Sequence, residues 1–232
     1  MTLTEPRPAV DAFVAQAQAD AEHAIAVLRA TGTLTANGTI TFAERLPGED
    51  AYVLLASPGP WSQERAVQPR VLPVDATATD EEPDVAYGFG RLLALRPELS
   101  TVVHLDAPHL GAWAQTQQDL PIRYVPVQRW TLGNTIPAYV DRTQTQIDFI
   151  LERLDDDPHT PAILEGNGGA TIWGREGLLA TAEYVQIVEE GAQFQLLAQA
   201  LGGSQPYGPG VLAQQWAMSG LTAEARRLGL LP

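Results

Sequence analysis

Short apolar runs of three to seven residues alternate irregularly along this chain with stretches of helical periodicity. Ala51 to Ala56, Leu99 to Leu105, Ala162-Ile163-Leu164 and Ala170 to Trp173 are too short for buried helices. They are bounded by turn residues, and read as strands. Ala66 to Val74 and Ile122 to Val127 read the same way. Between them, Ala9 to Arg29 repeats Phe13, Ala17, Ala21, Ala24, Ile25 and Leu28 at helical spacing, and Gly32 stops it. Further helices are expected over Val85 to Leu95, Pro108 to Gln118, Thr143 to Leu154, Arg175 to Leu201 and Pro209 to Leu228. Asn37-Gly38 is a turn signal. This irregular order predicts a single α/β domain over residues 1–232, a three-layer α/β/α sandwich around a mixed, largely antiparallel sheet.

Two residue types are missing, and their absence restricts the chemistry. There is no cysteine, and all fourteen basic residues are arginine. Thiolate nucleophiles, iron–sulfur clusters and disulfides are excluded. So are Schiff-base and pyridoxal chemistry and a Walker-type phosphate loop, which all need lysine. A net charge of −14 disfavours nucleic acid and anionic membranes as partners. With no apolar run near the ~20 residues of a membrane span and no secretory h-region, a soluble, cytoplasmic protein is expected.

The segment Leu95-Arg96-Pro97 through Val102-Val103-His104-Leu105-Asp106-Ala107-Pro108 is similar to the arginine-proline turn, buried strand and H-x-H-[SA]-P segment of the class II aldolase/adducin family. Ala162 to Gly174 resembles that family's L-L-x-N-H-G strand turn, and Val188-Glu189-Glu190-Gly191-Ala192 its following helix. Gly38-Thr39-Ile40-Thr41 and Ala56-Ser57-Pro58-Gly59 stand where the family has G-N-[VL]-S and T-P-S-G. Pro137-Ala138-Tyr139 stands where some aldolases carry a tyrosine before a flexible loop.

The resemblance implies a homotetramer and a lyase or epimerase acting on a small hydroxylated, sugar-phosphate-like carbonyl compound. By position it assigns His104 and Asp106 to a divalent metal such as zinc. Thr39, Thr41, Ser57 and Asn167 fall to substrate binding, and Tyr139 and Glu82 to proton transfer. Family aldolases use three histidines and a glutamate base. Here the second histidine is Asp106 and the third is Gly168, and the expected base falls near Val85, with Glu81, Glu82 and Asp84 nearby. The expectation is therefore a degenerate metal site, no resident cofactor unless other ligands rebuild it, and no standard metal-dependent aldol cleavage. The alternative is a non-catalytic, adducin-like binding or assembly module.

The residues themselves also admit plainer roles. His104 reads equally as a buried strand-end histidine, Asp106 as the cap of the helix from Pro108, and Asn167-Gly168-Gly169 as a tight turn using glycine for positive φ. Glu189-Glu190 read as a solvated or interface face of the long helix.

Overall fold

A computed structural model describes residues 8–64, 66–76, 88–208 and 210–232. Glu81, Glu82, Asp84 and Val85 lie outside the described residues. The opening helix α1 (Pro8–Ala30) leads into β1 (Ile40–Arg45), β2 (Ala51–Ala56) and β3 (Gln68–Pro73). Then come α2 (Phe89–Leu95), β4 (Thr101–Leu105), α3 (Pro108–Thr116), β5 (Leu120–Pro121), β6 (Thr135–Ile136) and β7 (Ala138–Tyr139). The chain ends in α4 (Gln146–Asp156), β8 (Ala162–Glu165), β9 (Ala170–Gly174), α5 (Leu178–Gln199), α6 (Val211–Met218) and α7 (Thr222–Arg227).

Seven strands form one sheet in the order β3-β2-β1-β4-β9-β8-β7, antiparallel throughout except for β7 against β8. Strand alternation sorts its side chains to two cores. Ile40, Phe42, Val103, Leu105 and Ile172 pack beneath α1, α3 and α5. Ala43, Val102, Ile163 and Trp173 pack beneath α2 and α4. This is the expected α/β/α sandwich, with Val102, Val103, Ile163, Leu164 and Ile172 all fully buried in the sheet. A small third cluster, Leu132, Trp216 and Ala225, anchors the C-terminal helices.

Four expectations need correction. Ile122 to Val127 is not a strand: pairing stops at Pro121, and Pro126 adopts helical angles and starts a 3-10 turn at Val127–Arg129. Ile122 and Val127 are buried all the same. The C-terminal helix is two helices, broken where Gly220 takes φ 75°. Asp106 does not cap α3: the N-cap is Ala107, with no side-chain bond. Glu189 does that work from α5. Its Oε1 accepts from the His109 amide at 2.7 Å and its Oε2 from the Leu110 amide at 2.8 Å. Glu189 is thus a buried capping carboxylate rather than part of a solvated face.

Candidate functional site

His104 is the fourth residue of β4. The pleat that sends Val103 and Leu105 under α3 and α5 sends its imidazole to the α4 side of the sheet, beside Thr171 of β9 and Thr41 of β1. The ring is buried. Its Nδ1 lies 2.9 Å from Glu165 Oε1 and 3.3 Å from Thr171 Oγ1. Glu165, the last residue of β8, is also buried. Its Oε1 accepts further from Thr171 Oγ1 at 2.8 Å and from Gln146 Nε2, at the start of α4, at 2.9 Å.

Burial pushes the Glu165 carboxyl up. The His104 hydrogen bond and charge, the Thr171 hydroxyl and the Arg142 guanidinium outweigh it and hold the group below the usual carboxylate range. An ionised carboxylate only accepts hydrogen bonds, so Nδ1 of His104 carries a proton and Nε2 is the ring's basic nitrogen.

The turn between β8 and β9 works differently from the glycine hairpin the sequence suggests. Asn167, not either glycine, takes the positive φ, at 61°. Its side chain is spent on α3, accepting from Gln117 Nε2 at 2.6 Å and donating to Gln115 Oε1 at 3.0 Å. Gly169 is required by close approach. A Cβ there would run into the Leu105 carbonyl oxygen and come within 2.8 Å of Asp106 Oδ1. Gly168 is less crowded; its nearest neighbours would be the Glu165 backbone oxygen at 3.3 Å and Arg142 Nη2 at 3.9 Å.

The described residues do not supply a three-ligand metal site. His104 Nδ1 is committed to Glu165, and Gly168 brings no side-chain donor. Among the described residues no group of three or more histidine, aspartate and glutamate side chains converges to hold an ion. Tyr139 is the parallel neighbour of Glu165, but its phenol is turned away and donates to the Gln144 carbonyl at 2.5 Å.

At the same end of the sheet a cleft of about 530 Å³ opens between the C-terminus of α1, the Asn37-Gly38 turn and the Pro58-Gly59 loop. Asp106 ties it to β4: its amide donates to the Thr39 carbonyl, and its carbonyl accepts from the Thr35 amide, both at 3.1 Å. Arg29 Nη2 donates to Ser57 Oγ at 2.7 Å across the cleft. Gly38, at φ 64°, lets the guanidinium lie over the turn; a Cβ would sit 3.2 Å from Nη2. The Thr35 hydroxyl oxygen is buried on this wall and finds no hydrogen-bond partner among the described residues. The structure thus joins Ser57 and Thr39 to this cleft, while Thr41 lines the sheet beside His104. Arg29 carries no distinctive signal in the sequence; a basic residue in a helix's last turn usually reads as a cap for the dipole.

A separate cavity of about 320 Å³ lies at the opposite end of β4, walled by Leu99, Trp130, His159, Trp173 and Glu224. Its Glu224 carboxylate is already paired: hydrogen bonding to Arg227 holds it down to about 2, with His159 adding to the effect. The candidate site is the His104 end of the sheet, where the buried His104–Glu165 pair and the Arg29 cleft both lie.

Residues 86–196 match the model of the class II aldolase and adducin N-terminal domain. Just under half of the chain therefore carries the sequence signature of that domain. No curated protein sequence matches it. Among solved structures it is similar to an L-fuculose 1-phosphate aldolase, at 12% identity and a TM-score of 0.68 over 95% of this chain and 98% of that one. It is also similar to the L-fuculose-1-phosphate aldolase of Thermus thermophilus, at 17% identity and TM-score 0.63, over 84% of this chain and 100% of that one. YgbL from Escherichia coli follows at 19% identity and TM-score 0.63, over 87% and 99%. At these identities the likeness carries the fold, and the chemistry of this chain rests on its own side chains.

Proposed function

We propose that the chain is an enzyme of this superfamily that moves a proton at the carbon beside the carbonyl of a small hydroxylated, phosphorylated substrate, without the metal-dependent aldol cleavage of fuculose-phosphate aldolases. The buried His104–Glu165 pair carries this reading. Removing two ionisable groups from water costs several kcal/mol, and a scaffold kept only for packing is served as well by apolar residues. Glu165 holds the imidazole in one tautomer with Nε2 basic. Nε2 takes the proton from the substrate carbon, the electron pair moves to the carbonyl oxygen to give an enediolate, and the Glu165 carboxylate stabilises the imidazolium so formed. The Arg29–Ser57 cleft takes the phosphate, with Thr39 beside it.

The test is deuterium uptake into the hydroxymethyl hydrogens of dihydroxyacetone phosphate in D2O, followed by proton NMR. Uptake is expected in the wild type, to fall about 100-fold or more in His104→Asn, and to fall in Glu165→Gln. Wild-type protein that binds the compound without exchange, or exchange that survives His104→Asn, would sink the proposal.

The second reading is the adducin-like module without catalysis. Exposed Phe194, Leu197 and Leu201 near the end of α5 favour an interaction surface there. They fit equally well in a homotetramer of the enzyme. Among the described residues no helix is long and apolar enough to cross a membrane, and a cytoplasmic location belongs to this proposal.

A further inference from the structure

The turn that lacks the family's third histidine holds an arginine instead. Arg142, three residues after Tyr139, bends back to the β8–β9 turn. Its Nη2 donates to the Gly166 carbonyl at 3.0 Å, and its guanidinium lies over the Tyr139 ring, 5.7 Å from the centroid. Nη2 stands 3.9 Å from where a side chain on Gly168 would begin. No carboxylate of the described residues forms an ion pair with it; Glu165 acts on it only at longer range, and the nearby Asp141 carboxylate accepts from the Thr143 amide. The cation is therefore held beside Gly168 by a carbonyl and an aromatic face, with Glu165 acting on it at longer range.

We infer that Arg142 is a specificity-determining residue of this site, and that it binds a carboxylate of the substrate in the place left by the missing metal ligand. This rests on the reading that the His104 end is a substrate site. A metal ion gathers a carbonyl and a hydroxyl oxygen of a neutral sugar. A guanidinium instead presents a planar fork, which two coplanar carboxylate oxygens match. The substrate class shifts accordingly, from a ketose phosphate without a carboxylate to a phosphorylated hydroxy- or oxo-acid. Such a compound would reach the Arg29 cleft with its phosphate and Arg142 with its carboxylate, with its hydroxylated carbons beside His104.

Calorimetric titration with two probes separates these contributions. 3-Phosphoglycerate carries both anions, and dihydroxyacetone phosphate carries only the phosphate. Wild-type protein is expected to bind 3-phosphoglycerate the more tightly. Arg142→Gln should weaken 3-phosphoglycerate about tenfold or more while changing dihydroxyacetone phosphate less than about twofold. Arg142→Lys should recover only part of the loss, because it keeps the charge and not the fork. Arg29→Gln should weaken both probes. If Arg142→Gln leaves 3-phosphoglycerate unchanged, or weakens both probes alike as a merely structural residue would, the inference fails while the substrate site stands. If neither probe binds the wild type, both fail.

Discussion

Glu189 of α5 grips His109 by backbone and ring together: its Oε1 lies 2.7 Å from both the His109 amide and the His109 Nδ1, while its Oε2 takes the next amide, that of Leu110. One buried carboxylate thereby closes the N-terminus of α3 and fixes the end of the strand that carries His104.

Replacing Glu189 with alanine should therefore cost about 2–3 kcal/mol, because it strands two helix amides in a buried setting. Thermal unfolding checks this, with a fall of several degrees expected. Glutamine should recover part of the loss, since one of its two terminal atoms still accepts.

A second expectation concerns pH. Glu44 of β1 is buried on the α1 side of the sheet and accepts a hydrogen bond from Thr101. Burial, with the Asp20 charge adding to it, raises its carboxyl to about 7, against the lowering effect of Thr101. A carboxyl whose folded value lies above its unfolded one favours the fold while it stays protonated. That contribution is complete below the ordinary value of 4.5 and is lost as the pH rises through 7. Glu44→Gln should accordingly raise the melting temperature at pH 8, by roughly 2 kcal/mol of stability, and change it little at pH 4.5. Equal effects at both pH values would contradict this.

The two glycines of the β8–β9 turn should respond differently. Gly169→Ala drives a methyl group into the Leu105 carbonyl and should destabilise by about 3 kcal/mol. Gly168→Ala meets its closest neighbour at 3.3 Å and should cost less than about 1 kcal/mol. Denaturant unfolding of the two variants reads the contrast directly.

Metal content gives a fourth expectation. With Gly168 in the third ligand position, purified protein should hold well under one zinc, iron or manganese per chain by elemental analysis. One ion per chain, lost on His104→Ala, would reverse this and direct attention to Glu81, Glu82 and Asp84.

Most of the sandwich was legible in the sequence because its signals are local. Val102-Val103 and Ile163-Leu164 are apolar runs bounded by turns, and α1 repeats its apolar residues at one period. The site was legible in position but not in partners. His104 stands out as a histidine ending an apolar strand. Its partner, Glu165, is 61 residues away and looks like any acid before a glycine turn. Glu189 misled for the same reason: helical periodicity treats a charge as solvent-facing, and only the packing of α3 against α5 shows that two amides await it. The strand expected at Ile122 to Val127 failed because alternating apolar residues cannot say whether a neighbouring strand is there to pair with. Asn167 was misjudged because asparagine is one of the few other residues that tolerates left-handed backbone, and it freed the glycines for close contact.

The sheet's two rims bear on how the molecule can assemble. β3, at one rim, contains Pro69 and Pro73, which oppose Leu55 and Ala51 of β2 and have no amide hydrogen to offer a newcomer. β7, at the other, is only two residues long. Both rims are poor templates for a strand from a second chain, which disfavours the edge-to-edge growth that leads to fibrils. Association through helix faces can instead form a closed ring of fixed size, where a sheet edge would extend without limit.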